Sequence, residues 1–246
     1  MFIDKGLEFS SSTKMGGVIN PITGRKFVKT WLIDELLPVA LDTYHDFEVL
    51  LDEQLIYSKN IFRFFNDIED ENNWMARNMD PEYQQYFGLD FIAYEIMYLN
   101  HDDGFGVISN AFLIDIPLLV RKFRDYLIQR ELIIEEIFNF DKLIVSENEI
   151  KYDGFVAENI IFAEGYSVIK NPYFHFIPMN LAKGEALKVR FKDMQFHNIM
   201  KKRITIEPLP DGLHWVGSNY IWDFEDSEPT DSSKRYFWNN FQRWLN

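Results

Sequence analysis

The sequence predicts a mixed α/β fold, and three observations carry that prediction. Residues 31–53 place apolar side chains at helical spacing, and Asp115-Ile116-Pro117 opens a second long helix running to about Glu131. Short β-type runs recur around them, well separated along the chain, which argues against a helical bundle or a β-sandwich. A Ser/Thr/Gly-rich segment, residues 10–17, interrupts the periodicity near the N-terminus. With 246 residues and 47% hydrophobic content, the chain can bury a substantial core as one large domain or two small ones.

Taken in order, Phe2-Ile3-Asp4 reads as the stub of a strand whose partners lie elsewhere, and Lys5-Gly6 turns the chain. The polar loop follows, then Asn20-Pro21-Ile22-Thr23-Gly24. The first helical stretch carries Leu32, Leu36, Val39 and Leu50, and Pro38 within it predicts a kink or a break between two helices. Residues 56–65 read as a strand, and the acids between Asp67 and Glu71 lead into a helix around Trp74 and Met75. Residues 91–99 read as strand-like, Asp102-Asp103-Gly104 as a turn, and 105–112 as a strand weakened by Gly106. Asp115 is an N-cap for the second long helix, with Pro117 in its first turn, where a missing N–H costs little. Three short β-type runs come next, at 143–145, 149–152 and 160–163, with Asp153-Gly154 turning between the last two. Further strands are expected at 186–191, 204–208 and 215–222, before a C-terminal helix over 232–245.

Composition removes several classes of function. The formal net charge of -14, from 25 basic against 39 acidic residues, repels phosphate backbones and anionic lipid, so no nucleic-acid or membrane partner is expected. The absence of cysteine rules out disulfides, thiolate nucleophiles and iron–sulfur ligation. Five histidines form no HxH or HExxH, so no metal site is expected, and neither Gly-x-Ser-x-Gly nor a Walker A loop occurs. No apolar run of about twenty residues is present and the first residues do not read as a secretory signal, so a cytoplasmic protein is expected. Aromatic residues make up 17% of the chain, a content that suits a large core or the walls of a pocket for a flat ligand.

Several segments, in a consistent order, resemble the glycine oxidase/D-amino-acid oxidase family of flavin enzymes. Phe2-Ile3-Asp4-Lys5-Gly6 resembles the end of the second parallel strand of the flavin domain, which places Asp4 where the family binds the adenosine ribose. Ser10-Ser11-Ser12-Thr13-Lys14-Met15-Gly16-Gly17-Val18-Ile19-Asn20-Pro21 resembles the family's run of small hydroxyl residues, paired glycines and Asn before Pro. That run passes the pyrophosphate and the isoalloxazine edge, so the resemblance assigns Ser11, Ser12, Thr13, Gly16, Gly17 and Asn20 to the cofactor. Small side chains let backbone N–H groups approach such a ligand. The apolar residues before Gly165 resemble the strand-to-glycine element that closes the flavin domain, although Glu164 departs from the small residue common there. Asp211-Gly212-Leu213-His214-Trp215-Val216-Gly217-Ser218-Asn219-Tyr220 is similar to a substrate-domain strand, and makes Tyr220 the candidate pocket residue. By itself Asp4 also reads as a surface acid, and Tyr220 as a core or surface tyrosine.

The resemblance implies an incomplete Rossmann-type FAD-binding domain (residues 1–50 and 115–168) and an antiparallel-sheet substrate domain (51–114 and 169–246). It implies FAD as cofactor, a small amine or amino-acid substrate, and hydride transfer from the substrate α-carbon to flavin N5. The family's G-x-G-x-x-G turn and Gly-x-Arg-Pro motif have no match here. Two expectations follow: self-association or a partner chain completes the flavin domain, or the chain is a truncated, catalytically incompetent remnant acting as a binding or structural protein.

Overall fold

A computed structural model describes residues 1–6, 10–88 and 94–245. The chain opens with β1 (Phe2–Ile3), a short helix α1 (Ser11–Lys14) and three two-residue strands, β2 (Val18–Ile19), β3 (Ile22–Thr23) and β4 (Val28–Lys29). Next come α2 (Ile33–Leu51), β5 (Ile56–Phe64), α3 (Ile68–Asn78), β6 (Phe105–Ile114), α4 (Ile116–Gln129) and β7 (Ile133–Ile134). A small antiparallel sheet follows, β8 (Leu143–Val145), β9 (Ile150–Tyr152) and β10 (Phe155–Ala157). The last part holds β11 (Ala186–Val189), β12 (Ile199–Lys201), β13 (Thr205–Pro208), β14 (His214–Gly217) and α5 (Asp231–Gln242). The mixed α/β class is borne out.

One seven-stranded sheet, ordered β11-β14-β13-β12-β5-β6-β2, dominates the molecule. Its pairings are antiparallel except for the three-residue match of β12 with β5, where Ile199, Met200 and Lys201 lie beside Ile61, Phe62 and Arg63. Alternation sorts the side chains onto two faces. Ile61, Ile108 and Ile199 pack with Phe27, Ile33, Leu37, Trp74 and Phe87 on one side. Phe62, Phe64, Met200, Ile206 and Val216 pack on the other, under Phe237 and Phe241 of α5. A separate pair, β1 with β7, is parallel.

Local chemistry explains the elements that match expectation. The Asp115 carboxylate accepts from Leu118 N at 3.0 Å, and Pro117 occupies the first turn of α4. Asp67 caps α3 in the same way, accepting from Asp70 N at 3.0 Å. Gly106 in β6 has a packing reason: a Cβ there would lie 2.0 Å from the Trp74 indole.

Four expectations are corrected. The first helix runs unbroken through Pro38; only one turn-closing bond is forfeited there, while buried Ile33 and Leu37 anchor its first two turns. Of the strand expected over 91–99, residues 91–93 lie outside the described residues, and Tyr94–Tyr98 forms a 3-10 helix. No strand forms at 160–163: Asp153 and Gly154, at φ 46° and 88°, make a tight turn that folds Phe155–Ala157 straight back onto β9. The strand expected over 215–222 ends at Gly217. The sheet also contains β12, whose three residues among lysines gave no periodic signal.

Candidate functional site

Asp4 follows β1 at the carboxyl end of the parallel β1–β7 pair. Its Oδ1 accepts from Gly6 N at 2.8 Å and from Arg124 Nη1 at 2.6 Å. Arg124 also donates to Glu135, so Asp4 sits at one end of a three-residue ion network. Its second carboxylate oxygen has no hydrogen bond among the described residues. That free carboxylate oxygen can accept a hydrogen bond from a ligand.

The polar segment is more ordered than its composition suggests. Ser11, Ser12 and Thr13 lie in α1, beside α4, and Thr13 Oγ1 donates to Ser10 O at 2.8 Å. Asn20 closes a turn, accepting from Ile22 N at 3.1 Å through its side chain and from Thr30 Oγ1 at 2.8 Å through its carbonyl. Gly165 adopts φ 58°, and nothing lies within 4 Å of where a Cβ would stand, so its backbone is open to a ligand.

Gly16 and Gly17 are glycines because the loop lies flush on the sheet. A Cβ on Gly16 would sit 2.1 Å from Glu207 Oε2, and one on Gly17 would sit 1.8 Å from the Ile114 carbonyl oxygen. Gly17 O accepts from Ile114 N at 2.8 Å, and Trp215 Nε1 donates to Lys14 O at 3.0 Å. The loop is thus pinned to three strands. Tyr220 lies beyond β14, 73% exposed, its ring stacked with Trp222 at 6.4 Å between centroids.

Glu207, which the sequence reading did not single out, lies beneath this loop. It is 4% exposed, and its Oε2 has no hydrogen-bond partner. Burial pushes its pKa up to about 8, against the opposing pull of the Lys201 charge and the Gly17 backbone N–H. At neutral pH the carboxyl therefore holds a proton. Burial also lowers Lys201, with Arg63 beside it acting in the same direction and Glu207 against it. Arg63 is lowered by burial and raised by Asp70. The signal for this group was an acid within the apolar run Thr205-Ile206-Glu207-Pro208, but its partners come from distant segments.

The described residues contain no cluster of three or more metal-binding side chains, and no helix among them is long and apolar enough to cross a membrane. No family model matches the sequence. Solved structures do match. Glycine oxidase from Geobacillus kaustophilus aligns over 99% of this chain and 70% of its own, with a TM-score of 0.78 at 12% identity. Glycine oxidase from Bacillus cereus ATCC 14579 aligns over 98% and 72%, with a TM-score of 0.71 at 17% identity. L-alpha-glycerophosphate oxidase from Mycoplasma pneumoniae, solved with FAD bound, aligns over 99% and 71%, with a TM-score of 0.60 at 13% identity. The chain has the fold of these oxidases.

Proposed function

We propose that this chain is an FAD-dependent oxidoreductase of the amine/amino-acid oxidase type. The observation that carries the proposal is the placement of Asp4 at the carboxyl end of a parallel pair, with a free carboxylate oxygen, in a chain that shares its fold with glycine oxidase. FAD, when bound, supplies a hydride acceptor at N5 for the substrate α-carbon.

The residues present fit that cofactor. Asp4 would take a ribose hydroxyl, and the exposed hydroxyls of Ser11 and Ser12, with Thr13 beside them, would face the diphosphate. Asn20 stabilises the turn that follows the loop, and Gly165 leaves its backbone open. Gly16 and Gly17 use their missing side chains to rest on Glu207 and Ile114, so they would meet the flavin with the outward side of their backbone. Tyr220 would stand at the rim of the substrate site. The division into a flavin-binding part (1–50 and 115–168) and a substrate part (51–114 and 169–246) belongs to the same proposal. The first part holds β1, α4, β7 and the small sheet; the second supplies every strand of the large sheet except β2. A cytoplasmic location and a small amine or amino-acid substrate complete it.

The sequence holds no G-x-G-x-x-G turn, and this favours a second reading. In it the chain is a binding or structural protein without catalysis of its own, or gains a phosphate cradle from self-association or a partner chain. Purification followed by visible spectroscopy separates the two. A yellow protein, or FAD that is quenched and raises the melting temperature on addition, supports the first reading. A colourless chain that ignores added FAD rules out catalysis by this chain alone.

A further inference from the structure

A cleft of about 230 Å3 opens where the ends of β5 and β6 meet the β12–β13 turn and the last turn of α5. Trp244 lines it and packs edge-on against Phe64 at 5.0 Å between centroids, so the cleft belongs to the α5 face of the large sheet. The paired-glycine loop rests on Glu207, which alternation with Ile206 puts on the opposite face.

Three cations line the cleft: Lys202 and Arg203 from the β12–β13 turn, and Arg243 from the end of α5. Asp103 is the one acid among the described lining residues. In a chain with 39 acidic and 25 basic residues, this local excess runs against the composition. Lys202 meets Asp103 at 3.3 Å. Arg203 and Arg243 are exposed, and neither makes an ion pair or a side-chain hydrogen bond among the described residues. Trp244 is 3% exposed, and its Nε1 has no hydrogen-bond partner. A buried indole N–H ordinarily finds an acceptor, and leaving it without one is costly. Unpaired surface arginines are common and signify little alone. Here two free guanidiniums, a shared ammonium and an orphaned buried N–H line one cleft.

We infer that this cleft binds a phosphoryl dianion, either inorganic phosphate or a small phosphate monoester. Its lining carries an excess of two positive charges, which one dianion cancels. A tetrahedral phosphoryl group offers three terminal oxygens, enough to accept from both guanidiniums and the indole at once, whereas a carboxylate offers two. The C-terminal end of α5 opposes an anion, but its partial charge is about half a unit against three full cations. The site lies apart from the flavin side of the sheet and does not depend on the oxidoreductase proposal.

The test is calorimetric titration of the purified chain at fixed ionic strength, with inorganic phosphate, ribose 5-phosphate and acetate as probes. Phosphate or ribose 5-phosphate should bind about 10-fold or more tighter than acetate. Arg203→Gln and Arg243→Gln remove exposed, unpaired groups, so the melting temperature without phosphate should not move. Each should weaken binding by about 5- to 10-fold, and Arg243→Lys should retain more affinity than Arg243→Gln. Trp244→Phe keeps a ring on Phe64, removes the N–H donor and should weaken binding by about 3- to 10-fold. Tighter binding of ribose 5-phosphate than of phosphate identifies a monoester as the occupant, and the reverse order identifies the free ion. No binding of either, binding no tighter than that of acetate, or equal binding by wild type and both glutamine variants overturns the site.

Discussion

Glu207 and Trp215 are direct cross-strand partners on β13 and β14, and both side chains reach the same loop. Trp215 holds it at the Lys14 carbonyl, and the Glu207 carboxyl fills the space under Gly16. An aromatic donor and a protonated acid together set the height of the loop above the sheet.

The buried acid should make stability depend on pH in a particular direction. The folded pKa, about 8, is raised above the ordinary 4.5, so the folded state binds the proton more tightly than the unfolded one. Its contribution to stability is present below pH 4.5 and is lost as pH rises toward 8. The loss is about 5 kcal/mol at most, at 1.36 kcal/mol per unit. Urea unfolding midpoints from pH 5 to 9 should fall more steeply for the wild type than for Glu207→Gln. Parallel profiles would remove Glu207 as the cause.

Substitution of the paired glycines should separate hard from soft obstruction. Gly17→Ala drives a methyl into the Ile114 carbonyl, which cannot move without breaking β2–β6, and should cost about 3 kcal/mol or more. Gly16→Ala meets only the end of a side chain and should cost less. Combined with Glu207→Ala, its cost should shrink further. Additive effects in that double-mutant cycle would show that the two residues do not touch.

Glu95 binds a distant loop. It is 5% exposed and accepts from His197 N at 2.5 Å, Asn198 N at 3.2 Å and Asn198 Nδ2 at 2.6 Å. Glu95→Ala strips a buried acceptor from three donors of His197 and Asn198 and should lose about 1–3 kcal/mol, seen as faster amide exchange at His197 and Asn198. Unchanged protection there would contradict this anchoring role.

Asp4 gives a test that separates cofactor binding from folding. Asp4→Asn leaves Arg124 paired with Glu135, so the melting temperature should move by no more than a few degrees. FAD affinity should drop about 10-fold with the loss of a charged acceptor. A large thermal shift with unchanged FAD affinity would make Asp4 structural.

What was legible in the sequence was local. Asp115 and Pro117 announce α4 because capping involves neighbours only, and Asp153-Gly154 announces a turn because two positive φ angles need such residues. The same turn was assigned the wrong second strand, because Phe155–Ala157 is too short and exposed to show a pattern, whereas the apolar run at 160–163 showed one and forms no strand. The place of Asp4 at the end of a strand could be read from its own pentapeptide. Arg63, Lys201 and Glu207 could not, since their adjacency is created by pairing β12 with a strand some 138 residues earlier. Sequence carries no direct trace of register between elements so far apart.

That β12–β5 match has a consequence for how the sheet holds together. Everything on one side of it is an antiparallel block built from the last third of the chain, and everything on the other is a block built from the first half. They are stitched by a parallel seam three residues long, and its terminal pair is Arg63 and Lys201. Electrostatic repulsion is thus concentrated at the joint between the two blocks. Salt that screens these two charges would therefore hold the two blocks together more firmly, and low ionic strength would loosen them.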